Sequence, residues 1–176
     1  MIRTLFASAV LATVVLATLG AGSAAAAPPP RVSISDYAQL KTPLPYPYDE
    51  NANASADLDK ALARAKANGK RVLIKMGGNW CGDCRILQAT MDLPEMKAWV
   101  NRNFETISVD VGRMDKNLQI PARYGITERL AGVPAIFVVD PKTGRQLVSK
   151  AQVADLADAR HMQPQDLANW LAKYTK

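Results

Sequence analysis

Cysteine and histidine are nearly absent from the 176 residues: Cys81 and Cys84 are the two thiols, and His161 is the one imidazole. Two cysteines cannot staple a small fold together, so stability must come from a packed core. A structural zinc site needs four ligands, and this set falls short of that. Long runs of one charge are missing too. With 22 Lys+Arg against 16 Asp+Glu the net charge is +6, and the basic residues are scattered among acids. No electrostatic footprint for nucleic acid therefore stands out. No internal repeat is visible, and the length suits one domain with short attachments.

A long apolar run occurs once, at the start. Arg3 precedes Leu5, Phe6, Val10, Leu11, Val14, Val15, Leu16 and Leu19, and the small residues Ala21 to Ala27 follow. Residues 1–26 read as a signal peptide, with small side chains at Ala24 and Ala26 ahead of the cleavage point. The alternative is an uncleaved anchor, because Thr4 to Ala27 is long enough to cross a bilayer. No cysteine follows the run, which argues against a lipid-modified N-terminus. Both readings export the folded part, and the expected location is the periplasm, where disulfides persist.

Residues 27–54 form a Pro/Tyr-rich arm, in which Pro43, Pro45 and Pro47 interleave with Tyr46 and Tyr48 and favour extended backbone over helix. The folded domain is expected over residues 55–176. Leu58, Ala61, Leu62 and Ala65 recur at helical spacing, with Ser55 as N-cap and Gly69 past the end. Val72 to Met76 reads as a strand, Cys81 to Met91 as a helix, and Phe104 to Val111 as a second strand. Between the last two lies a helix with Asp92 as cap, Glu95 three residues on, and Met96, Trp99 and Val100 on one face. Strands separated by helices predict a parallel pair with a right-handed crossover. A short helical turn follows at Leu118 to Tyr124. Ala135 to Val139 and Gln146 to Lys150 flank Asp140-Pro141-Lys142-Thr143-Gly144 and read as an antiparallel hairpin. A last helix after Pro164 has Leu167, Trp170, Leu171 and Tyr174 on its apolar face. The fold class is α/β, with a mixed central sheet covered on both faces.

Cys81 and Cys84 fall between a strand and the start of a helix. A bridge closing so small a loop constrains the unfolded chain little, so structural stabilisation is a weak reason for the pair. Redox exchange is a stronger one. Unpaired amides and the positive end of the helix dipole favour a thiolate, which is the attacking species. Cys81, nearer that end, is the expected nucleophile, and Cys84 the thiol that resolves the mixed disulfide. Zinc binding and a pair of inert core cysteines remain as other readings. Haem attachment would need His after Cys84, where Arg85 stands.

The segment Val72-Leu73-Ile74-Lys75-Met76-Gly77-Gly78-Asn79-Trp80-Cys81-Gly82-Asp83-Cys84-Arg85 resembles the active-site strand and helix start of a thioredoxin. Tyr124-Gly125-Ile126 and Gly132-Val133-Pro134 continue the match, and the resemblance covers roughly Ser55 to Lys176. The site is similar to that of exported thioredoxin-like proteins with a Trp-Cys-x-Asp-Cys-Arg motif. The resemblance implies a thioredoxin fold and thiol–disulfide oxidoreductase activity, with no cofactor beyond the Cys81–Cys84 disulfide itself. Cys81 then matches the family nucleophile, Cys84 the resolving thiol, Trp80 the aromatic at the rim, and Pro134 the cis-proline. Pro134 would place the Val133 backbone beside the sulfurs, where a client segment could pair as an added strand.

Three departures from the family pattern stand out. Lys75 occupies the position of a buried aspartate six residues before the first cysteine, and Asp110 on the next strand is its candidate partner. Asp83 replaces a proline inside the motif, and its charge opposes thiolate formation while Arg85 partly offsets it. The segment Thr127 to Ala131 is longer than the corresponding loop and alters the groove beside Pro134. A less stabilised Cys81 thiolate makes a better reductant. The expected function is thus a monomeric periplasmic protein-disulfide reductase, acting on protein thiols and disulfides and fed by a membrane thiol relay. An oxidase, a cytochrome c maturation carrier and a peptide-binding module without turnover are the alternatives.

Overall fold

The computed structural model describes residues 26–176. The signal-peptide reading falls almost wholly on residues outside these. Among the described residues no helix is long and apolar enough to cross a membrane.

The elements run α1 (Ala54–Asn68), β1 (Arg71–Gly77), α2 (Gly82–Met91), α3 (Pro94–Asn103), β2 (Phe104–Asp110), α4 (Gln119–Arg123), β3 (Ala135–Val139) and α5 (Pro164–Ala172). The sheet order is β2-β1-β3, with β1 parallel to β2 and antiparallel to β3. The sheet is therefore mixed, as the alternation of strands and helices implies. Its central strand is buried from Val72 to Gly77 without a break, so any residue placed there leaves water, Lys75 included. α1 packs on β1 and β2 through Leu58, Ala61 and Ala65, and Gly69 ends it in the left-handed conformation at φ 71° that a glycine adopts without steric cost.

Three local expectations give way. Asn53, not Ser55, caps α1, its side chain accepting from the Ala56 amide at 3.1 Å. Asp92 does not cap α3. It closes α2 and accepts from Gln88 Nε2 at 2.9 Å, while Leu93 is the N-cap and Pro94 opens the helix. The proline explains this, since it forces extended backbone on the residue before it and suits the first helical turn. The hairpin is reduced to a turn. Asp140 accepts from the Lys142 amide and closes the loop with Arg145, but only the bridge Val139–Gln146 follows. Further along β3, the Ile136 amide donates to the Val153 carbonyl at 2.7 Å, so a loop satisfies the edge that a fourth strand would have paired.

The arm wraps the domain without forming a strand. Its first residues are bound to α3 and α5: Trp99 Nε1 donates to the Pro28 carbonyl at 2.7 Å, Gln165 Oε1 accepts from the Val32 amide, and Glu95 Oε1 accepts from the Ser33 amide. Val32, Leu40 and Tyr48 are buried in the core. Trp99 and Trp170 are buried as their helical stripes imply, and so are Met76 and Met96.

Phe137 is fully buried at the middle of β3, its ring 5.8 Å from that of Tyr124. Phe137→Ala is expected to lower the unfolding free energy by about 3–5 kcal/mol, measured by urea denaturation.

Candidate active site

Cys81 is the N-cap of α2. Its backbone is extended (φ −86°, ψ 112°), and its sulfur accepts from the Cys84 amide at 3.2 Å, where a capping oxygen usually stands. The two cysteines are joined by a disulfide, with their Cα atoms 5.3 Å apart. Cys81 keeps 6% of its surface exposed and Cys84 1%, so a partner approaching from solvent meets Cys81 first. Cys81 Sγ lies 3.4 Å from the carbonyl oxygen of Val133, and the Val133–Pro134 bond is cis. The loop between α4 and β3 thus stands directly against the outer sulfur. Leu130 in the Thr127–Ala131 segment is buried, so that loop is packed down rather than free.

Trp80 is 47% exposed beside the pair. Its Nε1 donates to the Gly112 carbonyl at 2.7 Å, which fixes the ring, and the Arg113 guanidinium lies 5.5 Å from the ring centre. A cleft of about 420 Å³ opens there, walled by Trp80, Arg113, Lys116 and Glu50.

The charges around the pair are distributed differently from the sequence expectation. Asp83 is matched by Arg160, not Arg85. Arg160 donates from Nε to both carboxylate oxygens at 3.0 and 3.1 Å, from an Nη at 2.7 Å and from its backbone amide at 2.9 Å. Burial alone would raise the Asp83 pKa, but the hydrogen bonds and charge of Arg160 outweigh it and hold the carboxyl below its usual range. Arg85 turns to the arm instead. It donates to the Leu44 and Pro45 carbonyls at 2.7 and 3.1 Å and stacks 4.0 Å from the Tyr46 ring centre. Nothing near Arg160 in the sequence marks it as a site residue, because the 77 positions separating it from Asp83 are closed only by the fold.

Lys75 is buried, with 5% of its surface exposed. Its partner is Gln88 Oε1 on α2, not Asp110. The register explains the difference: Lys75 pairs with Ser108, whereas Asp110 pairs with Gly77. Asp110 accepts from the Gly112 amide at 3.1 Å and faces Lys116 at 3.7 Å. Burial pulls the Lys75 pKa from 10.5 down to about 8, with Asp92 opposing that. His161 is exposed and sits 2.6 Å from Asp158, consistent with its polar surroundings.

One further side chain converges on the pair. A Cβ on Gly77 would lie 2.5 Å from both Cys84 Sγ and the Tyr48 hydroxyl. The bare glycine therefore leaves a space that the inner sulfur and an arm tyrosine share. Chemically, the arrangement offers an outer sulfur at a helix tip, an inner sulfur behind it, and a cis-proline loop facing the outer one. Such a pair can exchange disulfides.

Residues 53–141 match the thioredoxin-like family. A crystal structure described as a disulphide isomerase from Xylella fastidiosa Temecula1 is 36% identical with a TM-score of 0.66, covering 74% of this chain and 97% of that one. The oxidised C-terminal domain of DsbD from Neisseria meningitidis is 20% identical with a TM-score of 0.46, covering 70% of this chain and 97% of that one. A DsbH oxidoreductase is 19% identical with a TM-score of 0.42, covering 70% of this chain and 92% of that one. No curated protein matches.

Two outcomes follow from the charge pairs. Arg160→Ala leaves Asp83 ionised and unmatched beside the sulfurs, so the Cys81 thiol pKa is expected to rise and alkylation of the reduced protein at pH 7 to slow several-fold. For Lys75 the folded pKa lies below the unfolded one, so the unfolded chain binds more protons between about pH 8 and 10.5 and stability rises with pH across that window. Below it the full cost of burying the ammonium is present. Lys75→Met is expected to be more stable than wild type at pH 7 in denaturant titrations, with the difference shrinking from pH 8 upward.

Proposed function

Because this chain belongs to the thioredoxin-like family of disulfide oxidoreductases, we propose that it is a periplasmic protein-disulfide reductase working through Cys81 and Cys84. The observation that carries this reading is the capping sulfur of Cys81, the more exposed of the pair, at the α2 tip against the Val133–Pro134 loop. In the reduced protein the Cys81 thiolate attacks one sulfur of a client disulfide, forms a mixed disulfide and expels one client thiolate. Cys84 loses its proton and attacks Cys81 Sγ. The Cys81–Cys84 bridge forms, the second client thiolate leaves, and two electrons have passed to the client. A dithiol partner, taken to be a membrane thiol relay, returns the bridge to the dithiol state.

An unmatched Asp83 does not set the reducing direction, since Arg160 neutralises it. What supports it is that, among the described residues, these cations spend hydrogen bonds elsewhere and none donates to Cys81: Arg160 donates to Asp83, Arg85 to the arm carbonyls and Lys75 to Gln88. The Cys81 thiolate is then stabilised by one amide and the helix dipole, with no dedicated cation added. A strongly oxidising couple needs more stabilisation of its reduced form than that. Trp80 and the Val133 backbone are taken as the client contacts, with Pro134 presenting Val133. Export rests on the reading of residues 1–26.

Disulfide isomerisation is a second reading, favoured by the description of the 36% identical Xylella protein. It uses the same sulfurs, with Cys81 attacking and being expelled again without net electron transfer.

Cys84→Ser is expected to abolish reduction of a protein disulfide and to accumulate reductant-sensitive mixed disulfides through Cys81. A peptide-binding module would instead yield no covalent adduct and be indifferent to the substitution. A measured reduction potential near that of cytosolic thioredoxin, about −270 mV, supports the reductase; one near −180 mV or above favours isomerase or oxidase.

A further inference from the structure

We propose that Tyr48, carried into the site by the arm, is the hydrogen-bond donor that stabilises the Cys84 sulfur as a thiolate whenever the Cys81–Cys84 bridge opens. The inference rests on the oxidoreductase reading and adds to it a positioning residue from outside the matched family segment, residues 53–141.

Contacts on either side of the pair deliver this side chain. Ahead of the cysteines, Asn79 clips the Tyr48 backbone reciprocally: its Oδ1 accepts from the Tyr48 amide at 3.1 Å and its Nδ2 donates to the Tyr48 carbonyl at 2.8 Å. Just after them, Arg85 holds the Leu44 and Pro45 carbonyls and stacks on Tyr46. Just before them, the missing Cβ of Gly77 opens a space that the Tyr48 hydroxyl and Cys84 Sγ both border. Each lies 2.5 Å from where that Cβ would be, so they are within 5 Å of one another. The arm is thus tied to the residue two before Cys81 and the residue directly after Cys84, with its tyrosine between.

The surrounding ionised groups have partners of their own. Asp110 on β2 faces Lys116, Asp83 on α2 is held by Arg160, and Lys75 on β1 by Gln88. Cys84 is almost completely buried, and an unsolvated thiolate there would be costly without a donor. Burial and the charge of Asp110 push the Tyr48 pKa far above its ordinary value of 10.0, so the phenol keeps its proton and donates a hydrogen bond rather than transferring the proton outright. When an attacking thiolate bonds to Cys81 Sγ, the Cys81–Cys84 bond breaks and its electron pair stays on Cys84. The Tyr48 O–H is the neutral donor beside that sulfur. In the reverse direction it lowers the cost of deprotonating Cys84 for attack on the mixed disulfide.

Tyr48→Phe removes the hydroxyl and keeps the ring. In a Cys81→Ser background the Cys84 thiolate, followed by its ultraviolet absorbance, is expected to require a pH about one unit higher to form. With both cysteines present, opening of the bridge by dithiothreitol is expected to slow about tenfold, as for loss of a hydrogen bond to a charged group. Alkylation of Cys81 should be nearly unchanged. Asn79→Ala, which loosens the Tyr48 backbone, should shift both readouts the same way and serves if Tyr48→Phe fails to fold. An unaltered Cys84 titration and opening rate in the folded variants would overturn the proposal and leave the oxidoreductase reading intact. Failure of the wild-type protein to turn over any protein disulfide would overturn that reading instead, whatever the Cys84 titration shows.

Discussion

A sulfur stands where a helix cap normally has an oxygen, and the site is organised around that substitution. The Cys81 side chain accepts the Cys84 amide that would otherwise be unpaired at the tip of α2. The same contact lines up Cys84 behind it, one turn into the helix. Local structure and chemistry are therefore one feature: what ends the loop and starts the helix also puts an amide and the positive end of a dipole against the reacting atom.

Around this point one charge is matched by its opposite and another is not. Asp83, which would repel a thiolate, is held by four donor contacts from Arg160. Lys75 is stranded in the middle of the central strand, whose residues on either side of it are buried, and takes a neutral amide as partner instead of a carboxylate. An amide satisfies an ammonium's hydrogen bonding without cancelling its charge, so the cost of burying it stays in the folded state and shows as the lowered pKa.

The arm is more than a covering for apolar surface. Its first half is stitched to α3 and α5 by side chains that reach for its backbone. Its second half is stitched to the active-site loop by Asn79 and to α2 by Arg85. Backbone groups in an extended segment without strand partners need such hydrogen bonds when they lie against a domain, and here the partners flank the two cysteines. Restraint of the arm and restraint of the site are consequently coupled.

The order of helices and strands, the buried faces of α1 and α3, and the position of the cysteine pair at a strand-to-helix turn were legible in the sequence, because each depends on periodicity or spacing within a few residues. Pro94 also carried the signal for the α3 start, through its effect on Leu93, although Asp92 with Glu95 imitates a capping box. The hairpin expectation fails because nothing in Gln146 to Lys150 indicates that Val153, farther along, takes the Ile136 amide. The strand register that pairs Lys75 with Ser108 and Asp110 with Gly77, the Arg160 partner of Asp83 and the approach of Tyr48 to Cys84 were decided only by the tertiary structure. Local sequence determines where a sulfur can cap a helix. Which charge or hydroxyl stands beside that sulfur depends on how distant segments close on one another, and burial energy that selects the closure leaves no mark in the spacing of the residues it unites.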